Sequence, residues 1–184
     1  MPELRRYDGA DEIPRELERH VRSLLQAEWP ATGDETAGPL VEPEWHPTHF
    51  ILADGHKVWS YARTIWARVT HLGRGWKLYG LGDVVTAPGL RGAWYGSRVV
   101  RDATAHIRSD YEADAAVLLT EPGLEAFYRR YGWEATPELE VRTDEYDEHQ
   151  CGGSLPMMLF LSESAGRMRP GFHASPLVLP GDEW

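Results

Sequence analysis

The sequence predicts a mixed α/β domain of the α+β kind, with a largely antiparallel central sheet and flanking helices. Three stretches carry that prediction. "HFILADGHKV" places two strand-like runs around Asp54-Gly55, the dipeptide of a two-residue antiparallel hairpin. "KLYGLGDVVT" at 77–86 reads as a third core strand and runs into "APGLRGAWYGS", a Pro-Gly break and a small-residue loop that open a helix. "AAVLL" at 115–119 is a short buried strand with a short helical stretch behind it.

Taken in order, the first element is a helix. Ile13, Leu17, Val21, Leu24 and Leu25 recur at helical spacing up to Trp29, with Asp11 as candidate N-cap and Pro30 as stop. Residues 31–47 carry Pro, Gly and acids, a composition for a long loop, and long loops in compact domains are usually functional. The hairpin strands follow at 49–52 and 57–69. Gly80 and Gly82 interrupt the third strand, and glycine inside a strand marks a bulge or the close approach of a ligand. A helix is expected from about Trp94 to Ser109, with Val99, Val100, Ala103 and Ile107 on one face. Residues 123–133 read as a short helix closed by Gly132, and 138–143 and 156–161 as strands. No repeat or linker divides the 184 residues, so a single domain is expected over 1–184.

A hydrophobic share of 42% without any run approaching ~20 apolar residues argues against a membrane-spanning helix. "MPELRRYDG" has no apolar run after its arginines, and the single Cys151 leaves no internal disulfide, so a cytoplasmic location is expected. The formal charge of −10 repels nucleic acid and anionic membrane and favours cationic ligands. His46 and His49, and His149 beside Cys151, lack the further ligands a metal site needs, so no metal is expected.

The loop that opens the second helix is the chemically informative stretch. Helix N-terminal N–H groups have no internal partner and sit at the positive end of the dipole, which makes such a loop an anion cradle. An antiparallel hairpin, a glycine-interrupted strand, "RGAWYGS" opening a helix, a short strand and then "FYRRYGW" is an order that resembles the GNAT superfamily of acetyl-CoA-dependent N-acetyltransferases. That resemblance covers about residues 49–133 and implies a largely antiparallel sheet with a splayed parallel pair. The superfamily's loop signature falls on Arg91, Trp94 and Gly96, with Trp94 in the place of the first glycine. The exchange fits if Trp94 keeps a helical φ, because backbone N–H groups hold the pyrophosphate.

What the resemblance implies is specific. Val84, Val85 and Thr86 offer their amide edges to pantetheine and the acetyl carbonyl, and Arg91, Gly92, Ala93, Trp94, Tyr95, Gly96 and Ser97 hold the pyrophosphate of acetyl-CoA. Tyr128, in the short helix, is the proton donor to the leaving thiolate, with Tyr131 as its rival. Within the superfamily the chain is similar to the aminoglycoside 2'-N-acetyltransferases, on the "THFILADGHKVWSYA" hairpin, "LRG" at 90–92, "YRRYGW" and the C-terminal "PGDEW". That likeness implies an acidic pocket of Asp34, Glu35, Asp83 and Asp182 with the Trp184 carboxylate, a cationic amino-sugar substrate and a homodimer. Asp147 and Glu148 are further candidate acids. The family's proton-relaying glutamate falls on Gly82 here. Asp83 follows it, and reaches the same place only if the neighbouring glycines bulge the strand, since adjacent strand residues point oppositely. The expected acceptor is gentamicin-like or kasugamycin-like, with antibiotic resistance as the outcome. Another small amine, a polyamine or a peptide N-terminus, and a non-catalytic cation-binding protein are the alternatives.

Overall fold

The computed structural model describes residues 1–9, 13–30, 38–143, 153–181 and 184. The described strands are β1 (Glu3–Asp8), β2 (Thr48–Asp54), β3 (Lys57–His71), β4 (Arg74–Thr86), β5 (Ala115–Thr120), β6 (Glu134–Ala135), β7 (Val141–Thr143), β8 (Leu155–Phe160) and β9 (Leu177–Leu179). The helices are α1 (Arg15–Glu28), α2 (Tyr95–Ser109), α3 (Glu125–Arg129) and α4 (Glu163–Met168). Seven strands form one sheet in the order β1-β2-β3-β4-β5-β8-β6, and β7 pairs with β9 in a small parallel sheet. Within the large sheet β4 and β5 are the parallel pair, and β1–β2, β2–β3, β5–β8 and β6–β8 run antiparallel. The mixed, largely antiparallel architecture read from the sequence is the one observed. Among the described residues no helix is long and apolar enough to cross a membrane.

The chain divides into two compact units: residues 1–65 with 83–103, and residues 66–82 with 104–184. In the first, α1 turns Leu17 and Val21 inward, and with Ile13 they pack on Ile51, Ala53, Val58, Tyr61 and Val85. This is the apolar face that the helical spacing predicts. The helix starts two residues later than Ile13, after Pro14, whose ψ of 132° is extended, and it ends before Pro30. Asp11, the expected cap, lies outside the described residues.

The hairpin departs from its expected turn. Asp54 pairs with Lys57, so Gly55 and His56 are the turn residues, and Gly55 takes the positive φ of 60°. A second departure is a bulge. Ala53 pairs with Val58 but Leu52 pairs with Ser60, which leaves Trp59 as the extra residue on β3. No sequence reading anticipated β1. Its four charged residues and its exposed and half-buried positions are those of an edge strand, which β2 organises by pairing with all six residues.

In the second unit Trp76, Leu78, Ala115, Val117, Met158, Phe172, Leu177 and Leu179 form the core, and Trp184 packs against it. Lys77 is buried and bonded to Asp110 at 2.7 Å, where the Tyr79 hydroxyl also donates at 2.7 Å. The expected helix at 123–133 is shorter, with a 3-10 turn at Pro122–Leu124, helix only over Glu125–Arg129, and Gly132 at φ 87°. The strand expected at 138–143 is confined to Val141–Thr143, and the one at 156–161 runs one residue earlier. Sequence spacing missed α4, whose cap is Ser162 accepting from the Ala165 N–H at 3.1 Å.

Candidate active site

The ladder between β4 and β5 covers only Leu78–Gly80 and Ala115–Val117. Beyond it β4 continues to Thr86 while β5 pairs with β8 on its other side through Thr120. The last part of β4 is therefore strand backbone with no described β5 partner, which is the chemistry of a peptide-like ligand that adds a pseudo-strand. Val84 and Thr86 in this stretch are half-buried and Val85 is buried. Ser60 fastens its end: the hydroxyl donates to the Val85 carbonyl at 2.8 Å and lies 2.9 Å from the Thr86 hydroxyl. The Ala87 N–H donates to the Trp59 carbonyl at 3.0 Å.

Asp83 breaks this strand. Its φ is +53°, a left-handed conformation in the middle of extended backbone, which cannot continue the pleat. Gly80 and Gly82, where the bulge was expected, keep negative φ, and the aspartate itself carries the conformation that only Gly, Asn and Asp adopt readily. Its Oδ2 accepts from Arg63 Nε at 2.5 Å, and Oδ1 has no hydrogen bond among the described residues. Arg63 was not among the sequence candidates. It is 9% exposed, and β3 pairs it with His49 on β2.

His49, first read only as half of an incomplete metal pair, is fully buried, and its Nδ1 lies 2.7 Å from the Tyr61 hydroxyl. Its Nε2 has no hydrogen-bond partner among the described residues. Burial and the nearby Arg63 charge lower its pKa to about 4, against a smaller opposing effect of Asp83. His49, Tyr61, Arg63 and Asp83 thus make one polar network in the first unit. The signal that could have found it is the hairpin register, but only with the bulge at Trp59 counted. Among the described residues no three His, Cys, Asp or Glu side chains gather as metal ligands, and His149 and Cys151 lie outside those residues.

After Thr86 comes a 3-10 turn at Pro88–Leu90 and then the loop into α2. Gly92 has φ +80° and Trp94 φ +66°, separated by Ala93, whose φ is negative. Trp94 therefore does not keep the helical φ the sequence reading required of it; it takes the left-handed conformation of the glycine it replaces. Alternation of backbone handedness turns successive N–H groups toward one point and makes an anion-binding nest. The carbonyl of Trp94 accepts from Arg98 N–H at 3.2 Å, so the N–H groups of Tyr95, Gly96 and Ser97 precede the helix's internal bonding. The first turn of α2 carries no acidic side chain to compensate the dipole. Arg91 is tied down at both ends of its guanidinium, Nε to the Thr86 carbonyl at 3.2 Å and the terminal nitrogen to Glu28. The bulge aims the Trp59 ring edge-on at Tyr95, with centroids 4.8 Å apart, which braces the start of the helix.

In the second unit Tyr128 is 6% exposed, and burial pushes its pKa up to about 12, opposed by a hydrogen bond with the Thr120 side chain. Its rival Tyr131 is half-exposed. Trp184 is also only partly exposed, with Nε1 donating to the Pro180 carbonyl at 2.7 Å, so the last residue is held by its indole. Asp34, Glu35, Asp147, Glu148 and Asp182 lie outside the described residues. Gly82 is half-buried in β4.

Comparison with known proteins agrees with this construction. Residues 10–136 match the family model of the acetyltransferase (GNAT) domain. No curated protein matches the chain. Among solved structures, Escherichia coli ElaA is similar at a TM-score of 0.61 and 18% identity, over 86% of this chain and 99% of that one. An acyl-CoA N-acyltransferase from Pseudomonas aeruginosa is similar at 0.60 and 20%, over the same shares of the two chains. A GNAT family acetyltransferase from Brucella melitensis, solved with acetyl-CoA, is similar at 0.53 and 18%, over 98% of this chain and 94% of that one. The family match spans more than half of the sequence and takes in the strand, the loop and the helix behind it, and the chain belongs to the GNAT acetyltransferase domain family.

Proposed function

We propose that this protein transfers the acetyl group of acetyl-CoA to a primary amine of a cationic amino sugar, the 2'-amine of an aminoglycoside, and so confers resistance to it. The observation that carries acetyl transfer is the nest at Gly92–Trp94 directly behind a strand whose outer edge has no described β5 partner. These residues fit the group: an unpaired strand edge for pantetheine amides, and converging N–H groups with an uncompensated helix dipole for a diphosphate. Bound there, acetyl-CoA supplies an acyl group activated as a thioester. Val84, Val85 and Thr86 hold the pantetheine arm, and the loop from Arg91 to Ser97 holds the diphosphate.

Asp83 binds the acceptor. Arg63 fixes its Oδ2, which leaves Oδ1 to hold the acceptor's neutral amine and to take a proton from its nitrogen as that nitrogen bonds to the thioester carbon and the thiolate leaves. Tyr128 keeps its own proton across the whole working pH range, as a donor to a leaving thiolate must. The cationic acceptor is supported by the charge of −10. Asp34, Glu35, Asp182 and the Trp184 carboxylate are the further acidic groups of this reading, and the protein works as a homodimer.

CoA-thiol release from acetyl-CoA tests it, with a gentamicin-type drug, kasugamycin, spermidine and a free-N-terminus peptide as acceptors. The intact chain is compared with one lacking residues 182–184 and with Asp182→Asn, and thermal melts check that Trp184 has not been lost at the expense of the core. Release with a drug, abolished in the truncated chain and raised in KM in Asp182→Asn, is expected. Release with spermidine or the peptide alone overturns the aminoglycoside acceptor. Acetyl-CoA binding with no release for any amine identifies a non-catalytic cation binder.

A further inference from the structure

We propose that the second unit carries a binding cleft for a small primary amine with a one-ring apolar body. The cleft has a volume of about 280 Å³ and lies between β6, β8 and the 3-10 turn at Arg169–Ala174. Leu139, Met158 and Phe172, all buried, form its floor. None of the residues given to acetyl-CoA or to the acceptor lines it. The floor is built to stay open. The Phe172 ring meets His71, Trp76 and Phe160 at centroid distances of 4.3, 5.7 and 5.5 Å, and its carbonyl accepts from His71 Nε2 at 2.7 Å. A ring clamped by three others does not swing in to fill the space, so the apolar floor is preformed, as in most small-molecule sites. The volume sits at the lower end for such sites and suits a single ring better than an oligosaccharide.

The rim decides the sign of the ligand's charge. Arg169 is engaged twice, by an ion pair with Glu134 and by the Phe160 ring, whose centroid lies 5.9 Å from the guanidinium, so it is a poor anchor for an anion. Glu138 is exposed and has no hydrogen bond or ion pair among the described residues. With Glu134 neutralised by Arg169, the carboxylate left over at the mouth is that of Glu138. The formal charge of −10 adds to its attraction for a cation. An ammonium at Glu138 with a hydrocarbon body on the floor satisfies both halves of the cleft, since the head gains a charge partner and the body leaves water.

Titration of phenethylamine into the intact protein tests the site, with isotope-labelled methionine methyl groups read by NMR at pH 8, above the ordinary histidine range. Hydrocinnamate, an anion of similar shape, is the comparison. The ring current of bound phenethylamine is expected to move the Met158 methyl signal, assigned with Met158→Leu, and to leave that of Met1 in place. Glu138→Gln should weaken the amine roughly threefold, the scale of an exposed ion pair, with an unchanged Tm because the side chain packs on nothing. Hydrocinnamate should bind at least about tenfold more weakly than the amine. A Met158 signal that the amine does not move overturns the cleft as a site. An amine affinity unchanged in Glu138→Gln, or hydrocinnamate binding as tightly as the amine, overturns the assignment of the ligand as a cation.

Discussion

At the scale of single residues, His49 links the site to stability. It is neutral when folded, with a pKa lowered to about 4 by burial first and by Arg63 second, while the unfolded chain titrates near 6.5. Between those values the unfolded state binds the extra proton, so stability rises with pH from about 4 to about 6.5 and is level above. The slope from this one group approaches about 1.4 kcal/mol per pH unit. His49→Gln should flatten it, which urea midpoints at pH 5 and pH 7 will read; a parent and variant with the same pH dependence would show the buried ring to be irrelevant. In the sequence His49 looked like half of an incomplete metal pair, because nothing local says that Tyr61 and Arg63 lie across from it. Asp83 was legible as a residue but not as a conformation. Gly80 and Gly82 just before it drew attention to the right place, yet the left-handed φ fell on the aspartate. At Trp94 the departure from the glycine pattern was visible, and its backbone was not, since the sequence does not tell whether a substituted loop gives up a conformation or tolerates its strain.

Among the elements, β4 carries both the site and a support for it. Lys77, buried in its first half, is held by Asp110 just past the end of α2, with Glu112 as a second partner at 3.4 Å. Burial acts to raise the pKa of Asp110, but the hydrogen bonds from Lys77 and Tyr79 outweigh it and hold the carboxyl below its usual range. The sign follows: the contribution is present above the ordinary carboxylate pKa and disappears as pH falls through the lowered one. Asp110→Asn is expected to cost about 2 kcal/mol at pH 7, mainly by leaving Lys77 poorly paired, and much less at pH 3. Denaturation of both proteins at the two pH values checks it. Hairpin, loop and α2 were readable because periodicity and turn residues are local. By contrast β1, β6 and β9 are short or charged, and pairing rather than composition defines them.

For the molecule as a whole, the charge of −10 acts over distances that no single carboxylate covers. A multiply charged cationic acceptor should therefore show a KM that climbs several-fold between low salt and about 0.3 M, with kcat nearly unchanged, as screening shortens the reach of the field. A monoamine acceptor should be far less sensitive, and steady-state kinetics with the two acceptors separates the cases. A salt-independent KM for the polycation would remove steering from the account. Family and fold were readable from an ordered set of motifs spread over half of the chain. The proposed acceptor acids Asp34, Glu35 and Asp182 were not, since they fall in stretches of the sequence without periodicity, where spacing carries no geometry.

The bulge at Trp59 gives the hairpin something like a reading frame. Were Trp59 paired in the ladder instead of bulging from it, an uninterrupted register from Asp54 and Lys57 would set Ala62 opposite His49 and turn Arg63 to the opposite face, away from Asp83. Pairing Trp59 is therefore a frameshift in side-chain space: every residue beyond it keeps its identity and loses its address. Relatives of this chain can be sorted by whether they keep that one-residue insertion, whatever residue fills it.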